Sequence, residues 1–352
     1  MAFSLIEADV DKQWQHRLLF YGIEPVKPEY ATRATGLGVP YDGVLKQGRN
    51  ILDHWRQVLS HLKKTKPDVI ILHSLSLILP VGRYCKKYGC RLVVVEHQAY
   101  NAKSKAELLW SILAMRYGHR VVLLTNDYAT NHQRMLGRWY RAGKVAVIPN
   151  GIDTTRFAPA ENPRGADSGF TIGMASRLTA LRDHAGLIMA FRSVKEAIAV
   201  SNPTLKLRLR IAGDGHTLDA IRAKIVQEGL EHDVLLTGNL DEPALIEFLQ
   251  SLDIYVHASF AETMSTAIMQ TMACGRPVVA SDIPGINNVL NGSNGLLYPV
   301  DNHQALAKEI MALLENNELR AAISKEGRNF ALANFSASGM MAQYRLLIDS
   351  LY

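Results

Sequence analysis

The stretch DIYVHASFAETMSTAIMQTMACGRPVVASD, Asp253–Asp282, decides the fold. Its ends, DIYVHAS and RPVVASD, are short runs rich in Val, Ile and Tyr that read as strands, and one helix fills the interval. A strand, a helical crossover and a second strand make a parallel pair. The rhythm repeats outward. FTIGMAS, LKLRLRIAG and DVLLTG come before it, again separated by helical runs. In the first half RLLFYG (17–22), DVIILHS (68–74), RLVVVEH (91–97), VVLLT (121–125) and VAVIPN (145–150) alternate with helical candidates near 50–64, 77–88, 104–117 and 127–138. A polar stretch with Pro and Gly, Phe157–Phe170, interrupts the pattern and reads as a linker. The fold class is therefore α/β, with two doubly wound, Rossmann-like domains, 1–165 and 166–335. Ligands of such sheets sit beyond the carboxyl ends of the strands, so the loops after each strand carry the function. The opening segment FSLIEADVDKQW looks helical with no strand or Gly-rich turn before it, so the first sheet reads as one strand short.

The chain has 352 residues, a length that favours two domains, and 48% apolar with 20% charged residues excludes a disordered or collagen-like chain. The longest apolar run, Val69–Val81, contains His73, Ser74 and Ser76 and is too short to span a bilayer. The first residues lack the basic and apolar regions of a secretory signal, so the expected compartment is cytoplasmic. Cys85, Cys90 and Cys274 form neither a zinc pattern nor a disulfide framework and read as packing residues.

A net charge of +6 conceals a split: 24 Lys and Arg against 13 Asp and Glu in residues 1–166, then 15 against 20 in 167–352. The basic half suits an anionic partner such as a membrane surface, although ordinary solvated cations would look the same. Lys63, Lys64 and Lys66, the segment around Trp110 and Tyr117, and RMLGRWYRAGK around Trp139 and Tyr140 combine cations with aromatics, as peripheral membrane helices do. Core packing of the Trp residues is the competing reading. Nucleic-acid binding is weaker still, because no recognised module accompanies the charge.

The densest chemistry is in the opening stretch. Glu262 directly follows a strand, Thr263, Ser265 and Thr266 lie at a helix start, and Gln270 follows two turns along. Ser and Thr suit capping positions, and the open amides of a helix start seat phosphate oxygens. If the helix already includes the early residues, Glu262 and Gln270 share a face, one for a sugar and one for a ribose. Arg177 after FTIGMAS and Arg182 five residues on could clamp a diphosphate bidentately. RIAGDGHT, with Gly213, lacks the dinucleotide spacing and reads more readily as a tight turn. Glu96 and His97 end a strand in the first half, and His97 could donate to a sugar or phosphate. No motif for a metal cage is present, so phosphate binding rests on Arg and helix ends.

Taken together, VAVIPNGIDTTRFAP, SRLTALRDHAGLIMAF, IAGDG, VLLTGNL, AETMSTAIMQTMACGRPVVASDIPG, GSNGLLYPVDN and NFSASGMMAQYRLLIDSLY resemble, in order and spacing, the retaining glycosyltransferases of family GT4 with the GT-B fold. The resemblance implies a C-terminal domain holding a nucleotide-diphosphate sugar, an N-terminal domain holding the acceptor, and a last helix, 336–352, packing back on the N-terminal domain. It assigns the diphosphate cations to Arg177 and Arg182, the donor-sugar contact to Glu262, the ribose to Gln270 in place of the family's Glu, and a sugar contact to His97. The family's Gly-rich turn falls on Thr263, Met264 and Ser265, and Thr237 and Gly238 lie where backbone groups meet the base. The implied reaction is transfer from a nucleotide sugar, UDP favoured, to a glycan or lipid-linked acceptor of envelope polysaccharide such as lipopolysaccharide, with no metal or other cofactor. The rival reading is a catalytically impaired nucleotide-sugar-binding or scaffold protein, motivated by Gln270 and the absent opening loop.

Overall fold

The computed structural model describes residues 1–45, 51–97, 103–161 and 169–352. The domain boundary between 165 and 166, inside the linker Phe157–Phe170, lies outside the described residues. The chain divides into two compact units, Met1–Gly151 with Ala337–Tyr352, and Ile152–Ser336.

The first unit runs α1 (Ala2–Glu7), β1 (Leu18–Gly22), α2 (Pro28–Gly36), β2 (Tyr41–Leu45), α3 (Ile51–Thr65), β3 (Val69–Leu72), α4 (Ile78–Tyr88), β4 (Arg91–Val95), α5 (Lys105–Tyr117), β5 (Arg120–Leu123), α6 (Asn126–Leu136) and β6 (Val145–Val147). Its strands form two parallel sheets, β1-β2 and β3-β4-β5-β6, where the sequence pattern suggested one. Leu92 to Val95 and Val121 to Leu123 are all fully buried, as parallel strands covered on both faces must be. Helix α3 buries His54, Val58 and Leu62, a stripe at spacing four that packs on this core. Ser104 and Glu107 form a reciprocal capping box that starts α5.

The second unit continues with β7 (Phe170–Ala175), α7 (His184–Ser201), β8 (Leu207–Ala212), α8 (Leu218–Gln227), β9 (Val234–Gly238), α9 (Glu242–Gln250), β10 (Ile254–His257), α10 (Thr266–Ala273), β11 (Val278–Ser281), β12 (Leu296–Tyr298), α11 (His303–Glu315) and α12 (Asn317–Asn334). A last helix, α13 (Ala337–Asp349), belongs to the first unit, where it meets α1. The sheet of the second unit is wholly parallel in the order β12-β11-β10-β7-β8-β9. The chain starts at β7 in the middle, winds out through β8 and β9, then returns to β10 on the other side. Strand order therefore reverses between β7 and β10, and ligands of such open sheets bind beyond the carboxyl ends at this kind of reversal.

Trp110, Tyr117 and Tyr140 pack against the core of the first unit, whereas Trp139 is 47% exposed, so of the four aromatics of the basic segments Trp139 alone stands clear of the core. All three cysteines are buried. No helix among the described residues is long and apolar enough to cross a membrane.

Candidate functional site

The loops after β7 and β10, at the reversal of strand order, are stitched together. Asp183 N–H donates to Ala258 O, Phe260 N–H donates to Leu181 O, and Arg182 and Ser259 form an isolated bridge. This brings Arg182 onto the β10 loop. Its guanidinium donates to Ser259 Oγ at 2.6 Å, to Ala261 O at 2.9 Å and to Glu262 Oε2 at 2.8 Å. Burial pushes the Glu262 carboxyl up, but His257, Arg182 and the Thr263 amide outweigh it and hold the group below the usual carboxylate range. Glu262 is thus an anion whose Oε1 also accepts from Thr263 N–H at 3.1 Å. Arg177 is exposed, with no ion-pair partner among the described residues.

Helix α10 begins only at Thr266, so Glu262 precedes it and shares no helical face with Gln270, contrary to the expectation from their spacing. Ser265 is the N-cap, 4% exposed, and its hydroxyl is committed to Ile268 N–H at 3.3 Å. Met264 is buried, Thr266 is exposed, and Gln270 is half-buried. Gly285 holds the Glu262 turn from behind: at φ +91°, a Cβ there would lie 2.4 Å from Glu262 O and 2.6 Å from Thr263 O. Gly213 has the same kind of role on the other side. A Cβ on it would stand 1.9 Å from Ser176 O, so this glycine serves close approach of the loops after β7 and β8. Its amide bonds Gly238 O at 2.7 Å, and Thr237 Oγ1 reaches Ile211 O at 3.4 Å, which joins the ends of β8 and β9.

Sequence reading missed the buried polar residues beneath this surface. His257 Nε2 lies 3.3 Å from Glu262 Oε2, and its Nδ1 lies 3.2 Å from the Tyr255 hydroxyl. Ser176 Oγ is 3.1 Å from His184 Nε2, whose ring burial lowers to a pKa of about 4. Asp183 caps α7 through Gly186 N–H at 2.8 Å. Alternation along DIYVHAS puts Tyr255 and His257 on one face, but nothing in the pattern says that the face meets Glu262.

In the first unit His97 follows β4, and its Nε2 lies 2.8 Å from Nδ1 of His73, which follows β3. Burial lowers His73 to about 3, helped by the facing His97, and lowers His97 to about 4, so both rings are neutral near pH 7. Glu96, fully buried, accepts from Ser111 Oγ at 3.0 Å, Tyr128 OH at 3.2 Å and His132 Nε2 at 3.2 Å, and pairs with Lys103 Nζ. Burial alone would raise its pKa, yet His132 and Lys103 bring it down to about 2. No group of three His, Cys, Asp or Glu arranged to hold a metal ion occurs among the described residues.

Residues 160–330 match the family described as Glycosyl transferases group 1, and residues 2–156 match Glycosyltransferase Family 4. The uncharacterized glycosyltransferase MJ1069 of Methanocaldococcus jannaschii is 29% identical over 42% of this chain and 38% of its own length. The N-acetylgalactosamine-N,N'-diacetylbacillosaminyl-diphospho-undecaprenol 4-alpha-N-acetylgalactosaminyltransferase of Campylobacter jejuni is 30% identical over 54% of this chain and 50% of its own length. The matched stretches thus span half or less of these relatives. The crystal structure of Anabaena HepE in complex with UDP and glucose superposes with a TM-score of 0.83 at 21% identity, over 99% of this chain and 96% of that one. With both units matched by family models and the fold shared across the chain, this protein belongs to the GT4 glycosyltransferases of the GT-B fold.

Proposed function

We propose that the chain is a retaining transferase that moves a sugar from a nucleotide-diphosphate donor, UDP-linked, to a glycan or lipid-linked acceptor in cell-envelope polysaccharide assembly. The observation that carries this reading is Arg182, held by the β10 loop beside Glu262 at the reversal of strand order, with Arg177 exposed nearby in sequence. Arg177 and Arg182 stabilise the departing diphosphate, and the start of α10, Thr263 to Thr266, offers amides to its oxygens. Glu262 positions the sugar, Gln270 the ribose hydroxyls, and the backbone near Gly213, Thr237 and Gly238 the base. The neutral imidazole of His97 hydrogen-bonds the sugar, and no metal is needed. The UDP in the HepE crystals and the undecaprenol-linked acceptor in the Campylobacter enzyme's name support the donor and acceptor classes. Work on a lipid-linked acceptor suits a protein at the inner face of the cell membrane, reached through the basic first half.

The test is incubation with UDP-glucose, UDP-N-acetylglucosamine and GDP-mannose, reading nucleotide release. Removing one charge-stabilising donor costs roughly 100-fold or more in rate, the loss expected for Arg182→Ala and Arg177→Ala. UDP binding without turnover would favour a nucleotide-sugar-binding or scaffold protein, and absence of UDP binding would overturn both.

A further inference from the structure

Behind Glu262 runs a chain of buried polar groups whose proton positions follow from counting donors and acceptors. Tyr255 is fully buried and His257 is 2% exposed; they lie two apart on β10 with rings stacked at 6.1 Å. The Tyr255 hydroxyl is 3.1 Å from Ala175 O, at the end of β7, and 3.2 Å from His257 Nδ1. His257 Nε2 is 3.3 Å from Glu262 Oε2, the oxygen that also accepts from Arg182.

A carboxylate and a carbonyl only accept, and a tyrosine has one proton to give. If Tyr255 gives it to Ala175, then His257 Nδ1 must donate to the phenol oxygen. A neutral ring would then turn a bare Nε2 lone pair toward Glu262, so this arrangement requires an imidazolium. If Tyr255 gives its proton to Nδ1, the ring is neutral and its single proton sits on Nε2. Complete burial favours this second arrangement, because an uncharged ring loses less hydration, at the cost of the hydrogen bond that Tyr255 otherwise donates to Ala175 O. Both arrangements put an N–H on the side of Glu262.

We propose that His257 is a positioning residue for donor binding: with its tautomer set by Tyr255, it holds the Glu262 carboxylate through Nε2–H when the Arg182 guanidinium turns to the diphosphate. The inference rests on the reading of Glu262 as the sugar contact. Arg182 cannot give the same N–H groups to Glu262 and to a phosphate. The carboxylate then keeps two donors, Thr263 N–H and His257, of which only His257 is a side chain open to substitution.

The experiment has two parts. Nitrogen-15 NMR of the histidine rings at pH 7.5 in the intact protein reads the tautomer, with the His257 signal assigned by its loss in His257→Gln. The expected result is a protonated Nε2 and a hydrogen-bonded, unprotonated Nδ1, whose shift moves in Tyr255→Phe. Calorimetry then compares UDP with UDP-glucose. His257→Leu should weaken UDP-glucose roughly tenfold while leaving UDP within about twofold, and His257→Gln, which restores an N–H donor, should recover most of the loss. A wild-type ring protonated on Nδ1 alone would overturn the proposal, and so would equal loss of UDP and UDP-glucose in both folded variants. Should His257→Leu fail to fold, the wild-type ring and His257→Gln still decide. Failure of the wild type to turn over any nucleotide sugar counts against the transferase reading, while the ring and binding results bear on His257 independently.

Discussion

Among single residues, Glu96 is a carboxylate wholly removed from water. Withdrawing a carboxylate from water costs several kcal/mol, which Lys103, His132, Tyr128 and Ser111 offset only because all four converge on it. Removing one partner of such a buried pair typically destabilises by about 3–5 kcal/mol, the range expected for Glu96→Ala in urea unfolding. The pH dependence has a definite sign. Glu96 is held at about 2 against an ordinary 4.5, so its contribution is complete above 4.5 and drains away as pH falls toward 2. His73 and His97 begin to act at higher pH. Once unfolded they take up protons below about 6.5, which the folded chain refuses until about 3 and 4, so stability declines as pH drops through that window. Urea midpoints measured from pH 7 to 3 should show both declines in the wild type. In Glu96→Gln the decline below 4.5 should flatten while the one starting at 6.5 persists.

Elements set where these residues end. The loop after β7 meets the loop after β8, and the loop after β10 meets the loop after β11, backbone to backbone, and glycine permits the first contact at Gly213 and the second at Gly285. Two substitutions separate loop placement from helix stability. Gly285→Ala must displace the Glu262 turn, so UDP-glucose binding should fall at least tenfold, since a 2.4 Å approach of Cβ to a carbonyl oxygen cannot persist. Ser265→Ala removes only the cap of α10, and a loss of about 1 kcal/mol in thermal or urea unfolding with near-normal binding is expected. The alternation of apolar strands and helices was readable because it records burial on both sheet faces. Helices α2, α11 and α12 and strands β2 and β12 were not read. The β2 sequence YDGVL exposes Tyr41, Asp42 and Gly43 and carries little apolar signal, and β12 is a three-residue edge strand. The start of α10 was read only to within Thr263 to Thr266, because Glu-Thr-Met-Ser suits a loop as well as a first turn until Ser265 is seen to cap.

At the scale of the whole molecule, charge is distributed as the sequence showed, and the structure adds which cations are available. Between Asp127 and Asp153 no acidic residue occurs. Arg134, Arg138 and Arg141 are exposed beside Met135 at 52% and Trp139 at 47%, with Arg138 lying 5.0 Å over the Trp139 ring. Lys144 is already spent on Met115 O and Gly118 O at the end of α5. An anionic bilayer gains about 1 kcal/mol for each basic side chain near its surface. Sedimentation with phosphatidylserine-containing vesicles should therefore weaken markedly in the triple Arg→Gln variant and in 0.5 M salt, and remain weak with neutral vesicles. Unchanged sedimentation would remove this surface from the account.

By itself, the sequence determined the parallel α/β architecture, the family, and the presence of Glu262 and His97 just after strands and of Arg182 at a helix start, because hydrophobic period and local turn chemistry are properties of neighbouring residues. Tertiary structure decided what those groups meet. That Arg182 closes on Glu262, that His257 and Tyr255 lie beneath it, and that His73 faces His97 depend on which strands lie side by side, and strand adjacency follows from the winding of the sheet, not from any local pattern.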